Sequence, residues 1–222
     1  VTGHGYSGEK ADPVMKKITE CRLYGILDTG YVAAESMAAM ASSLIEGGVD
    51  ILQLRAKKES RKEIRTMALE LAPICRMAGI PFVLNDHPDL VPETGADGAH
   101  VGQNDLSVAE ARKLAGPGSI IGKSTHSLYQ AMAAVAESPD YIGFGPLFAT
   151  ATKPDYSPIG TEQIIQVYRC IPFPVFCIGG INLGNLAAVR NCGAKRVVIV
   201  SDLLIAEDPT TRTAACKALL SE

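Results

Sequence analysis

The sequence predicts a single-domain α/β protein, a small (β/α)8 TIM barrel. Short apolar segments alternate with amphipathic ones eight times between residues 23 and 222. The apolar segments are continuous rather than alternating apolar and polar, as parallel strands covered on both faces require. Strands that alternate with helices imply a parallel sheet with right-handed crossovers, and eight such units suffice to close a barrel. An open doubly wound sheet is the alternative. Its glycine-rich first turn is missing, because the first strand runs into Asp28-Thr-Gly-Tyr31 and not into G-x-G-x-x-G.

The elements follow in order. Residues 23–28 read as a first strand, and the Ala- and Met-rich stretch 32–48 as its helix. Residues 50–55 form the second strand. The helix over 60–79 has Ser60 as N-cap and Gly79 as its stop. Strand 80–84 leads to a poorly defined helix at 87–95, broken by Pro88 and Pro92. Strand 98–102 and helix 107–116 follow, the helix opening on Ser107 and closing on Gly116. Strand 119–124, helix 128–138 and strand 140–144 lead to a loop with Pro146, Pro154 and Pro158, then a helix over 161–170. Strand 175–178, helix 183–193, strand 196–200 and helix 209–220 complete the chain. No linker divides it. Residues 1–20 read as an N-terminal extension and 21–222 as the barrel. The polar, Gly-rich start shows no charged n-region followed by an apolar h-region, so no secretory signal is expected.

Composition narrows the function. The 222 residues are 47% hydrophobic with a net charge of −3, which excludes disorder and gives no basic footprint for nucleic acid. No run reaches the ~18 apolar residues of a membrane helix. The six cysteines, at 21, 75, 170, 177, 192 and 216, show neither a C-x-x-C pair nor zinc spacing. They read as buried thiols of a reducing, cytoplasmic compartment.

In a barrel the active site lies at the C-terminal ends of the strands. Polar residues gather there: Gln53, Arg55, Lys57 and Lys58; Asn85 and Asp86; Gln103, Asn104 and Asp105; Lys123, Ser124, Thr125 and His126; Thr150, Thr152 and Lys153; Gly179 and Gly180; Ser201 and Asp202. The cations Arg55, Lys57 and Lys153 point to an anionic ligand. Asp86 and Asp105 beside them suggest Mg²⁺, which takes one or two carboxylates plus substrate phosphates. Gly179-Gly180 and Val200-Ser201 follow strands 7 and 8, where backbone N–H groups often hold a phosphate. Two anion sites suggest two phosphorylated substrates or one bisphosphate. Each feature also has a plain structural alternative. Asp86 and Asp105 could be helix N-caps, Gly179-Gly180 a tight turn, Lys58 and Arg61 a solvated face. His100, inside a strand, reads as a hydrogen-bonded core or rim residue.

Several blocks together resemble thiamine phosphate synthase: Gln53-Leu-Arg-Ala-Lys57, Asn85-Asp86, Gly95-Ala-Asp-Gly-Ala-His-Val-Gly-Gln-Asn-Asp105, Ile121-Gly-Lys-Ser-Thr-His126, Asp140 to Thr150 with Thr152-Lys153, Ile178-Gly-Gly-Ile181 and Val200-Ser201. The resemblance spans residues 22–205. It implies a small (β/α)8 barrel that joins a pyrimidine methyl diphosphate to a thiazole phosphate, releasing pyrophosphate. It further implies that the run Gln53, Leu54, Arg55, Ala56 and Lys57 holds the pyrimidine diphosphate, with Asn85 and Lys153 completing its contacts. Asp86 and Asp105 would bind Mg²⁺. Ser124 would contact the pyrimidine or the departing diphosphate, and Thr150, Thr152, Gly180, Val200 and Ser201 the thiazole phosphate. Arg55, Lys57, Ser124 and Lys153 would be the residues acting in catalysis.

Two positions depart from the family pattern. His87-Pro88 stands where a basic residue and a short helix are usual, and Lys123 stands where a small or apolar residue is expected. The rival readings are a thiazole tautomerase on the same barrel, which His126 keeps open, a phosphosugar epimerase or isomerase, and a non-catalytic phosphoryl-ligand binder. The partners expected are small molecules, with neither nucleic acid nor membrane; a homo-oligomer is compatible with the sequence, but no segment marks an interface. The proline-containing loop 149–158 is long enough to act as a lid.

Overall fold

The computed structural model describes residues 13–150 and 157–221. Eight parallel strands close a barrel in sequence order, with the last pairing to the first. They are β1 (Leu23–Asp28), β2 (Ile51–Arg55), β3 (Phe82–Asn85), β4 (Gly98–Val101), β5 (Ile120–Thr125), β6 (Tyr141–Phe144), β7 (Val175–Cys177) and β8 (Val197–Ile199). The helices are α1 (Met37–Glu46), α2 (Arg61–Met77), α3 (Val91–Thr94), α4 (Val108–Ala115), α5 (Leu128–Glu137), α6 (Ile164–Cys170), α7 (Leu183–Asn191), α8 (Ser201–Leu204) and α9 (Pro209–Ser221). Among the described residues no helix is long and apolar enough to cross a membrane.

The predicted caps form. Ser60 accepts from the N–H of Glu63 while the Glu63 carboxylate accepts from the N–H of Ser60, and Ser107 and Glu110 repeat the arrangement on α4. The region after β3 shows why its helix is hard to read. Pro88 and Pro92 limit it to a 3-10 turn, Pro88–Leu90, and the four residues of α3. The stretch 32–48 likewise opens with a 3-10 turn, Ala34–Ser36, before α1.

Strand parity divides the buried residues into two cores. Leu23, Leu27, Leu52, Leu54, Phe82, Leu84, Ile142, Phe144 and their helix partners fill the layer outside the barrel. Tyr24, Ile26, Ile51, Val83, Tyr141, Phe176 and Val198 fill its interior. All six cysteines are free thiols; burial pushes those of Cys21, Cys75 and Cys177 up to about 12, which keeps them unreactive.

The barrel bottom repeats one device. The Asp just before β2, β4 and β6 accepts a main-chain N–H at the start of the preceding strand: Asp50 from Leu23 at 2.9 Å, Asp97 from Phe82 at 2.8 Å, Asp140 from Ile121 at 2.7 Å. Asp50 also holds Lys16 and Lys217, which ties the N-terminal segment and α9 beneath the barrel. These contacts leave the opposite rim free for a binding site.

Candidate active site

A cavity of about 900 Å³, counting its open mouth, sits at the C-terminal ends of the strands. Parity sets its walls. Gln53 and Arg55 on β2, Asn85 on β3, His100 on β4, Ser124 on β5 and Tyr141 on β6 all line it. Thr150, Gly180, Val200 and Ser201 of the predicted set line it as well, whereas Lys57, Asp86 and Asp105 are not among its lining residues. Leu54 and Ala56 lie on the other parity and pack in the outer core, at 1% and 8% exposure. Their side chains face away from the cavity, so the expected contact with a ligand would run through the main chain. Lys123 also points outward, buried, with its Nζ 3.5 Å from the Glu137 carboxylate on α5. It therefore adds no charge to the cavity. Thr152 and Lys153, and most of the loop 149–158, lie outside the described residues.

The wall over β1–β3 is built from charge. Arg55 donates through Nη1 to Asp28 Oδ2 at 2.5 Å, and Gly30 N–H donates to the other oxygen of that carboxylate. The Arg55 Nε is buried with no hydrogen-bond partner among the described residues. A buried guanidinium N–H without a partner is costly unless a ligand satisfies it. At the rim above, Lys57 pairs with Asp86, and Asn85 Nδ2 donates to the same Asp86 oxygen at 2.7 Å. Asp86 holds φ +64°, a left-handed conformation uncommon for a residue with a Cβ. It is no helix cap, because His87 takes that place before the 3-10 turn.

Asp105 stands exposed at the end of the β4 loop and accepts from the Gly102 N–H at 2.8 Å. It is no cap either, since Ser107 caps α4. The structure thus removes the N-cap alternative for both carboxylates. Among the described residues no three His, Cys, Asp or Glu side chains cluster to hold a metal. Two hard carboxylates suit a cation that completes its shell with phosphate oxygens and water.

The opposite wall is backbone. Gly179 and Gly180 follow β7 with φ +99° and +64°, and a Cβ on Gly180 would stand 2.7 Å from that of Phe148. The glycines thus make a tight turn, as their plain reading held, and the turn faces the cavity. After β8 the short helix α8, not foreseen from sequence, begins at Ser201. Just after β5, His126 donates from Nδ1 to the Gly145 carbonyl at 2.7 Å and lines the cavity.

Sequence reasoning missed four groups. Asp28 reads as the end of an apolar strand, although it holds Arg55. Tyr24, Tyr141 and Phe176 read as core, although their inward parity carries them to the cavity floor.

Comparison with known proteins identifies the family. The family model for thiamine monophosphate synthase matches residues 23–203. The chain belongs to that family. A thiamine-phosphate synthase of Chloroflexus aurantiacus is 40% identical over 205 residues, covering 92% of this chain and 94% of the relative. That of Pelotomaculum thermopropionicum is 38% identical over 205 residues, with the same two coverages. The solved thiamine phosphate pyrophosphorylase from Pyrococcus furiosus superposes with a TM-score of 0.83 at 28% identity, covering 91% of this chain and 96% of that one.

Proposed function

We propose that the chain is a thiamine-phosphate synthase. It transfers the 4-amino-2-methyl-5-pyrimidinylmethyl group from its diphosphate to the ring nitrogen of 4-methyl-5-(2-phosphoethyl)thiazole, in simple or carboxylated form. The products are thiamine phosphate and pyrophosphate, with CO2 lost in addition when the thiazole is carboxylated. The observation that carries this reading is one chamber with two unlike walls, a guanidinium whose buried Nε has no partner among the described residues on one side and a glycine turn on the other.

In the reaction the C–O bond between the pyrimidine methylene and the diphosphate breaks, and the thiazole nitrogen forms a C–N bond to that carbon. The electron pair of the broken bond leaves on pyrophosphate. The electron-rich aminopyrimidine carries the positive charge left behind, so bond breaking runs ahead of bond making. The protein's task is to neutralise charge growing on the diphosphate. Arg55 does this through the donors that Asp28 leaves open, and Lys57 and Lys153 add charge. Gln53 and Asn85 hold the pyrimidine diphosphate, and Ser124 donates to it. Asp86 and Asp105 would hold Mg²⁺, which when bound supplies further positive charge beside the leaving group.

Thr150, Thr152, Gly180, Val200 and Ser201 hold the thiazole phosphate, which places the ring nitrogen in line with the breaking bond. No side chain needs to form a covalent intermediate. In this reading the protein works on small molecules in the cytoplasm. The test is mass-spectrometric detection of thiamine phosphate from the purified chain and both substrates. Its absence, with folded protein, refutes the reading.

A further inference from the structure

The chamber floor carries a chain of hydrogen bonds that the roles above do not use. Gln53 Nε2 donates to the Tyr24 hydroxyl at 2.6 Å, and the Tyr24 and Tyr141 hydroxyls lie 2.9 Å apart. The Tyr141 hydroxyl is 3.1 Å from His100 Nδ1, and His100 Nε2 is 2.9 Å from Ser124 Oγ. The chain crosses the barrel from β2 through β1, β6 and β4 to β5. It joins two of the residues assigned to the diphosphate substrate.

The packing holds this chain still. Phe176 lies edge-on to Tyr24 and Tyr141, with centroids 5.5 Å apart in each case. Gly122 makes room for it: a Cβ there would stand 2.2 Å from the Tyr141 ring and 2.5 Å from His100 Nδ1.

Proton counting then gives the chain a direction. Burial pushes both phenols above their ordinary range, so each keeps its one proton. Tyr24 accepts from Gln53 and donates its own proton to Tyr141. Tyr141 donates to His100 Nδ1. The ring proton therefore sits on Nε2, which donates to Ser124 Oγ. A hydroxyl that receives this bond turns its own O–H elsewhere, and Ser124 lines the cavity.

We propose that His100 is a positioning residue that fixes the Ser124 hydroxyl as a donor to the departing diphosphate, with the Tyr24–Tyr141 pair holding its tautomer. This rests on the reading of Ser124 given under the proposed function. A hydroxyl free to rotate presents a lone pair to the anion in part of its settings, and a fixed donor faces it in all of them. Fixed donors aimed at developing charge act without reorganisation during the reaction.

The test combines a spectroscopic measurement with two variants. Imidazole ¹⁵N shifts of the unmodified protein, with the His100 signals assigned by their loss in His100→Gln, report which nitrogen carries the proton. The Nε2–H tautomer is expected, and an Nδ1–H tautomer overturns the proposal. This arm is read on the unmodified protein, so it stands even where Tyr141→Phe or Ser124→Ala fails to fold. Tyr141→Phe removes one oxygen and keeps the ring. It is expected to lower kcat roughly tenfold with the thiazole KM unchanged, the scale of a lost orienting contact, and to shift the His100 tautomer balance. Unchanged kcat in folded Tyr141→Phe overturns the proposal. Ser124→Ala separates the two claims. If it lowers kcat while Tyr141→Phe does not, the positioning role fails and the Ser124 assignment stands. Full activity in Ser124→Ala overturns both.

Discussion

Asp28 and Arg55 end neighbouring strands, and their ion pair turns the guanidinium so that its buried Nε meets no partner among the described residues. Asp28 is itself 3% exposed. Under the proposed role of Arg55, a buried carboxylate that spends its charge on this guanidinium is a positioning device. Asp28→Asn keeps the shape and removes the charge. The expected result is a rise of roughly tenfold in KM for the diphosphate substrate, equivalent to ~1.4 kcal/mol, with the thiazole KM unchanged. Steady-state kinetics with each substrate varied in turn checks this. A fall in that KM would mean that Asp28 acts mainly by neutralising Arg55.

Lys57 occupies the Asp86 carboxylate that a metal ion would need. A metal ion held by Asp86 would compete with Lys57 for that anionic oxygen. Lys57→Ala is therefore expected to bind Mn²⁺ several-fold more tightly than the unmodified protein without substrate, as read by electron paramagnetic resonance. The same variant should bind the diphosphate substrate more weakly, because a cation is lost. Equal Mn²⁺ affinity in both proteins would mean that Asp86 is not a metal ligand.

Two of the bottom carboxylates, Asp50 and Asp97, should respond to pH with opposite signs. For Asp50, burial alone would raise the pKa, but Lys16, Lys217 and the N–H groups of Leu23 and Arg22 outweigh it and hold the carboxyl below its usual range. Its stabilisation is present above the unfolded pKa of about 4 and is lost as pH falls through the folded value. Burial holds Asp97 above its usual range despite the Phe82 N–H and Arg76. Its charged form costs stability at neutral pH, and that cost disappears as pH falls below the unfolded value. Asp50→Asn is expected to lose about 1–3 kcal/mol at pH 7, with the gap closing in acid. Asp97→Asn is expected to hold or gain stability at pH 7. Denaturant titrations at several pH values read both.

Gly180→Ala tests the backbone wall alone. Its Cβ would meet Phe148 and the Ala149 carbonyl oxygen within 2.8 Å, at a φ that disfavours alanine. Calorimetry should show weakened binding of the thiazole phosphate with the diphosphate substrate bound as before. Equal loss of both ligands would mean that the turn supports the whole cavity.

Much of this architecture is legible in the sequence because strands buried on both faces leave an unmistakable apolar signature. β1 falls at Leu23–Asp28, as its apolar run predicts, and the other strands shift by one or two residues at their ends. The site is legible to the extent that polar residues at strand ends are unusual. Gln53, Arg55, Asn85 and Ser124 stand out in this way, and all line the cavity. The residues that motif reading misplaces are those for which parity decides. Leu54 and Ala56 belong to the same run as Arg55 but face the helices. Tyr24 and Tyr141 sit in the strands themselves, where an aromatic ring reads as core, and strict alternation along each strand would have placed them inside the barrel; His100 fits its reading as a hydrogen-bonded core or rim residue. Asp28 was hidden because its partner is 27 residues away in sequence. α8 was hidden because four residues are too few to show a helical period.

Pyrophosphate release by the purified chain tests the central claim most directly, with each substrate alone, with both, and with Mg²⁺ or EDTA. The account predicts release that requires both substrates and Mg²⁺ and leaves one thiamine phosphate per pyrophosphate. Folded protein that releases no pyrophosphate with both substrates and Mg²⁺ present would contradict it.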